Sequence, residues 1–143
     1  MSLYLVGIDG SAGGERALEA AIAMAGESQS RLLLVYVIAW SPFSFSTPEE
    51  NAERHRRREE ELAIAHSKLL QPLLEKVQAQ SIPVEGLATH GHPARKLASL
   101  AEEHAARMII VARSGDKPIK SRFFGGTASA LTQSAGCPVL VVP

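Results

Sequence analysis

The amino-acid sequence predicts an α/β fold, a five-stranded parallel sheet with helices on both faces. Two observations lead there. Short apolar runs without polar alternation, such as Leu32-Leu33-Leu34-Val35 and Met108-Ile109-Ile110-Val111, are the pattern of strands covered on both sides. Between such runs lie segments with apolar residues every three or four positions. Strand and helix therefore alternate, and right-handed crossovers gather the strands into one parallel sheet. A chain of 143 residues and 15.3 kDa is the size of one domain with a real core.

Leu3-Tyr4-Leu5-Val6-Gly7-Ile8 is the first strand, stopped by Asp9-Gly10-Ser11. Ala17, Leu18, Ala21, Ile22 and Ala25 then form a helical stripe over residues 15–25, with Gly26 suited to a left-handed cap. Residues 32–38 make the second strand. Residues 40–47, with Pro42 and three serines, form a loop that closes on Thr47-Pro48-Glu49-Glu50, a capping residue followed by proline at the first helical position and glutamate at the third. The long helix starting there carries six glutamates and four arginines over residues 49–61 and is expected to be solvated in that half. Leu62, His66, Leu69, Leu70, Leu73 and Val77 give its second half an apolar stripe. Pro72 removes a backbone donor and predicts a kink or break near Lys68.

Residues 82–89 read as a third strand, and Pro83 with its polar neighbours puts it at a sheet edge. Gly91-His92-Pro93 turns the chain into a helix running to about His104, with Leu97, Leu100 and Ala101 on one face. Strand four is Met108-Ile109-Ile110-Val111-Ala112. A polar stretch over residues 113–126 leads to a last helix, 127–135, stopped by Gly136 and Pro138. Strand five is Val139-Leu140-Val141-Val142.

Composition excludes several functions. Fifteen basic against fifteen acidic side chains leave no net charge, so bulk attraction to nucleic acid is not expected. No apolar run approaches the roughly 20 residues of a membrane span, and the start lacks a signal peptide's basic region and cleavage site. With one cysteine, Cys137, the expected location is cytoplasmic. His90-Gly91-His92 has no third ligand nearby, so no metal site is expected. Asp9-Gly10-Ser11-Ala12-Gly13 has aspartate where a nucleophile elbow needs glycine, and neither a P-loop nor a G-x-G-x-x-G motif is present. Cys137, ahead of an apolar strand, reads as a small buried side chain.

In a parallel sheet, ligands bind beyond the carboxyl ends of the strands. Two glycine-bearing loops follow strands one and four. The second carries Arg113, Lys117, Lys120 and Arg122 against Asp116, a surplus of three positive charges, before Gly125-Gly126-Thr127 opens a helix. Bare amides at a helix start suit a phosphate. Glycines that only turn the chain and lysines that only solubilise it are the alternative.

The sequence resembles the universal stress protein family. Val6-Gly7-Ile8-Asp9-Gly10-Ser11 is similar to the family's opening strand and acidic turn, Leu34-Val35-Tyr36-Val37 to its second strand, and Gly91-His92-Pro93-Ala94 to its turn into the third helix. The end, Ala135-Gly136-Cys137-Pro138-Val139-Leu140-Val141-Val142, is also similar. The resemblance implies strand order 3-2-1-4-5 in a Rossmann-like, adenine nucleotide alpha hydrolase-like fold. Members that bind ATP carry glycine, two residues, glycine, nine residues, glycine and then serine or threonine after strand four. Here these positions hold Ala112, Gly115, Gly125 and Gly126, with Thr127 one place late. The alanine methyl crowds a site where glycine allows close approach. The missing hydroxyl removes one hydrogen bond but leaves the amide.

Carried over residue by residue, the resemblance implies that Asp9, with Gly10 and Ser11, lies by the ribose and adenine, and that the Val37 backbone bonds the adenine edge. Gly115, Gly125, Gly126 and Thr127 would hold the phosphates, with Val111, Ala112 and Arg113 lining the pocket. Asp9 read by itself is also a turn-forming aspartate, and Val37 a core residue. The expected function is adenine-nucleotide binding, ATP or AMP with magnesium carried on the phosphates, in stress sensing or signalling with at most slow hydrolysis. The resemblance also implies a homodimer through Val139–Val142. A nucleotide-free interaction protein of the same fold is the second reading. An adenylate-handling transferase or hydrolase is the third.

Overall fold

The computed structural model describes residues 1–39, 47–113 and 126–143. Five strands, β1 (Leu3–Ile8), β2 (Arg31–Ala39), β3 (Val84–Gly91), β4 (Met108–Ala112) and β5 (Val139–Val142), form one sheet in the order β3-β2-β1-β4-β5. Every pairing is parallel. The implied order 3-2-1-4-5 is therefore the observed one, and β3 lies at an edge as its proline and polar residues predict.

The helices among the described residues are α1 (Ala12–Ser28), α2 (Pro48–Ile64), α3 (Gln71–Gln78), α4 (Pro93–Glu103) and α5 (Thr127–Ser134), and a π-helical turn at Ala65–Leu70 joins α2 to α3. Successive strand residues point to opposite faces. Tyr4, Val6 and Ile8 of β1 thus pack with Leu18 of α1 and with Leu70 and Leu74 on one face. Leu3 and Leu5 pack with Leu97 and Leu100 of α4 and Leu131 of α5 on the other. The two cores explain why β1, β2 and β4 read as continuous apolar runs.

The bounds of two elements differ from their sequence reading by two residues or more. α1 starts at Ala12, so Gly13 and Gly14 belong to its first turn and are buried. It also runs past Gly26, and Gln29 (φ 54°) takes the left-handed cap. Ser28 holds that last turn by donating to the Met24 carbonyl and sharing a hydrogen bond with Ser30. β3 begins and ends two residues later than residues 82–89.

The long helix begins as predicted, with a complete capping box between Thr47 and Glu50, and no residue of α2 is buried. The predicted disturbance near Lys68 is the π-helical turn, closed by the Gln71 N–H donating to the His66 carbonyl. His66, placed in the apolar stripe, is exposed, whereas Ala65 and Leu70 are buried. In an α-helix, five positions leave two residues about 140° apart around the axis. The wider turn brings Ala65 and Leu70 to one side and turns His66 and Ser67 outward. Pro72, without an N–H, leaves the Lys68 carbonyl without its α-helical donor, and the register change falls there. Among the described residues, no helix is long and apolar enough to cross a membrane.

Candidate functional site

A cleft of about 960 Å3 opens at the carboxyl ends of β1, β2 and β4. On one side stands the turn after β1. Asp9 Oδ1 accepts hydrogen bonds from the Ser11 amide at 2.9 Å and the Ser11 hydroxyl at 2.6 Å. Ser11 Oγ in turn caps α1 by accepting from the Gly14 amide at 3.1 Å. Two glycines permit this arrangement. Gly10 takes φ +79°, and a Cβ on Gly14 would lie 2.7 Å from Asp9 Oδ1. Asp9 therefore is the turn-forming residue of the plain reading and also lines the cleft.

The second wall is the overhang of β2. Pairing with β1 ends at Ile8 and Tyr36, while β2 continues to Ala39. The Arg31 N–H donates to the Ser2 carbonyl beside β1, and the Leu32 N–H to the Pro83 carbonyl beside β3. Peptide groups alternate between neighbours along a strand. Those of Val37 and Ala39 consequently turn toward the β1 side, which β1 vacates, and both residues line the cleft.

The third wall joins β4 to α5. The Arg113 amide donates to the Val142 carbonyl at 2.7 Å, so the residue is anchored while its side chain stays exposed. It has no ion-pair partner among the described residues. Gly126 is the N-cap of α5 and offers no side chain, and no acidic residue lies in the first turn. Thr127, Ala128 and Ser129 all line the cleft, and their N–H groups have no carbonyl within the helix. This end of the cleft is thus electropositive.

Of the residues singled out in the sequence, Asp9, Ser11, Val37, Val111, Ala112, Arg113, Gly126 and Thr127 line this one cleft. Gly10 shapes the turn from outside the lining. Gly115 and Gly125, with the charged residues Asp116, Lys117, Lys120 and Arg122, lie outside the described residues. The lining also includes Tyr36, Ile38 and Ala39 beside Val37, Pro93 and Leu97 of α4, and Ser129 and Thr132 of α5. These residues look like ordinary strand and helix positions. Gly7 did carry a signal, as a glycine inside an apolar strand. A Cβ there would lie 2.9 Å from Val111 Cγ1 and 3.1 Å from Leu97 Cδ1, so its absence leaves room for those two side chains, both of which line the cleft.

Elsewhere, His90 Nε2 meets Glu61 Oε2 at 3.0 Å, a tie between β3 and α2. His92 instead caps α4, accepting from the Arg95 amide. No cluster of three or more metal-ligating side chains occurs among the described residues. Cys137 is partly buried, and that burial pushes its thiol pKa up, against a smaller opposing effect of hydrogen bonding at the Ile109 backbone.

A model of the Universal stress protein family matches residues 4–143. The chain is 28% identical over 145 residues to the universal stress protein YxiE of Bacillus subtilis (strain 168), covering 96% of each chain. Its structure is similar to that of universal stress protein UspA from Lactobacillus plantarum, with a TM-score of 0.82 and 23% identity over 99% of this chain and 97% of that one. A universal stress protein family protein from Arabidopsis thaliana, solved with AMP bound, shares the fold with a TM-score of 0.67 and 15% identity over 99% of this chain and 90% of that one. The chain belongs to the universal stress protein family.

Proposed function

We propose that this universal stress protein binds an adenine nucleotide, ATP or AMP, in the cleft at the carboxyl ends of β1, β2 and β4. The observation that carries this reading is the meeting of three unlike walls in one cleft. The overhang of β2 offers Val37 and Ala39 peptide groups between apolar side chains, suited to the edge and faces of a purine. Asp9 keeps Oδ2 outside its turn bonds, available to a ribose hydroxyl or to magnesium carried on phosphates. The uncapped start of α5 and the Arg113 guanidinium provide donors and positive charge for phosphate. The AMP complex of the Arabidopsis thaliana protein supports the ligand class. With no positioned base among these residues, the role is sensing or signalling in the cytoplasm, with slow hydrolysis at most.

Calorimetric titration with ATP, AMP and CMP tests this. Saturable heat from the adenine nucleotides and none from CMP is expected, and no saturable heat up to millimolar nucleotide would sink the reading. The second reading, a nucleotide-free interaction module, draws on the Ala112 methyl in the cleft and on the missing hydroxyl at Gly126.

The homodimer belongs to the same proposal. Among the described residues, β5 bonds to β4 alone, with the Pro138 and Val142 carbonyls accepting from the β4 side. By alternation, the Val139 and Val141 peptide groups face outward, where a second copy can pair with them. Val141→Pro removes one outward donor without touching the β4 ladder. Light scattering should then report a monomer in place of a dimer.

A further inference from the structure

The π-helical turn links the cleft to α2, a helix in which no residue is buried. Leu69, within the turn, lies over Gly10, with Cδ1 and Cδ2 at 3.8 and 3.9 Å from where a Cβ would stand. Gly10 is the middle of the Asp9–Ser11 turn, whose other side lines the cleft. At the far end of the π-helical turn is α2, in which no residue is buried. Helices with so little buried apolar surface open at small free-energy cost. One described tie to the sheet is Glu61 on His90, whose side chain is 11% exposed.

We propose that Leu69 and the π-helical turn couple the Asp9–Gly10–Ser11 turn to α2, so that an occupant of the cleft that engages Asp9 changes how firmly α2 is docked on β3. The carboxylate of Asp9 is shared. Its Oδ1 holds Ser11 through two hydrogen bonds, and a ribose hydroxyl or a magnesium ion on Asp9 draws on the same group. Ligand and turn therefore interact energetically, as any ligand-driven shift requires. Leu69 stands at van der Waals distance from where a Gly10 Cβ would lie, so movement of the turn toward the π-helical turn closes on Leu69. From Leu70 onward the chain is held in the core, because Leu70, Leu74 and Val77 are buried, so displacement of Leu69 is taken up on the α2 side. The charged surface of α2 becomes the part of the molecule that reports occupancy. This rests on the nucleotide reading for the identity of the occupant.

Hydrogen exchange read at residues 48–64, with AMP binding measured separately by calorimetry, tests the coupling. AMP is expected to change exchange there by threefold or more in the natural protein. In Leu69→Ala, which still binds AMP, that change should be lost, with exchange in α4 as the internal control. Binding without any change at residues 48–64, or an equal change in Leu69→Ala, overturns the coupling and leaves the nucleotide reading standing. If AMP does not bind, the nucleotide reading fails, and the coupling is decided in the free protein. Gly10→Ala, strained at φ +79°, and the milder Ser11→Ala should each speed exchange at residues 48–64 with α4 unchanged. Unchanged exchange at residues 48–64 in both variants overturns it.

Discussion

The N-termini of α1 and α5 reach the same cleft from opposite faces of the sheet, and the chain equips them differently. At α1 the helix end is answered from within. Ser11 caps it, Asp9 holds Ser11, and Glu15 sits in the first turn. At α5 the cap is Gly126, with no side chain and no acid in the turn that follows. Both ends carry the partial positive charge of aligned peptide dipoles. The first is neutralised by its own carboxylate, while the second keeps its donors for something outside the chain. Two geometrically similar ends therefore divide the cleft into an acceptor side, suited to hydroxyls and cations, and a donor side, suited to an anion.

Breaking the α1 side has the broadest expected effect, because it reaches stability and ligand affinity together. Gly14→Ala places a methyl 2.7 Å from where Asp9 Oδ1 stands. Alanine gains about 1 kcal/mol in helix propensity, but overpacking costs about 1–3 kcal/mol. Urea unfolding should show a net loss of about 1 kcal/mol, and AMP titration a weaker affinity from the displaced carboxylate. A stabilised variant would show that Asp9 is not held in place by the missing Cβ. Next comes making α5 resemble α1. Gly126→Asp supplies the absent cap and adds about 0.3–1 kcal/mol of favourable dipole interaction, yet puts a carboxylate where the phosphate is proposed. AMP affinity should fall about tenfold, equivalent to about 1.4 kcal/mol, while the thermal midpoint holds or rises. Equal affinity would move the anion away from α5.

Ser11→Ala makes α1 resemble α5. It removes the cap at a cost of about 1 kcal/mol, measured as a lower unfolding midpoint. Smallest is Gly126→Ser, worth a few tenths of a kcal/mol as a cap. Its hydroxyl restores the position that the ATP-binding pattern prescribes, so ATP affinity in titration should rise by a few-fold. A fall would show that the site has no use for a hydroxyl there.

How much of this was legible in the sequence follows from which residues interact locally. β1, β4 and β5 begin and end where their apolar runs do, because a strand covered on both faces excludes polar residues throughout. The capping box of α2 was readable for a similar reason, since all its partners lie within four residues. Gly13 and Gly14 misled through their low helix propensity, which at Gly14 hides a tertiary demand, room for the Asp9 carboxylate. His66 misled because a 3.6-residue period places it in the stripe, whereas the π-helical turn puts Ala65 there. Within the site, Asp9, Arg113 and Gly126 stood out by charge or by glycine. Ile38, Ala39 and Ser129 did not, as nothing local separates an overhanging strand end from any other.

By itself, then, the sequence determined the alternation of strands and helices, the covered sheet, the edge position of β3 and the two loops worth watching. These rest on periodicity, capping and turn chemistry, which act over a few residues. Only the tertiary structure decided that β2 outruns β1 by Val37 to Ala39, that one helix end is neutralised and the other is not, and that Leu69 sits on Gly10. Each of these is a relation between segments far apart in the chain, created when the sheet closes and the two cores form.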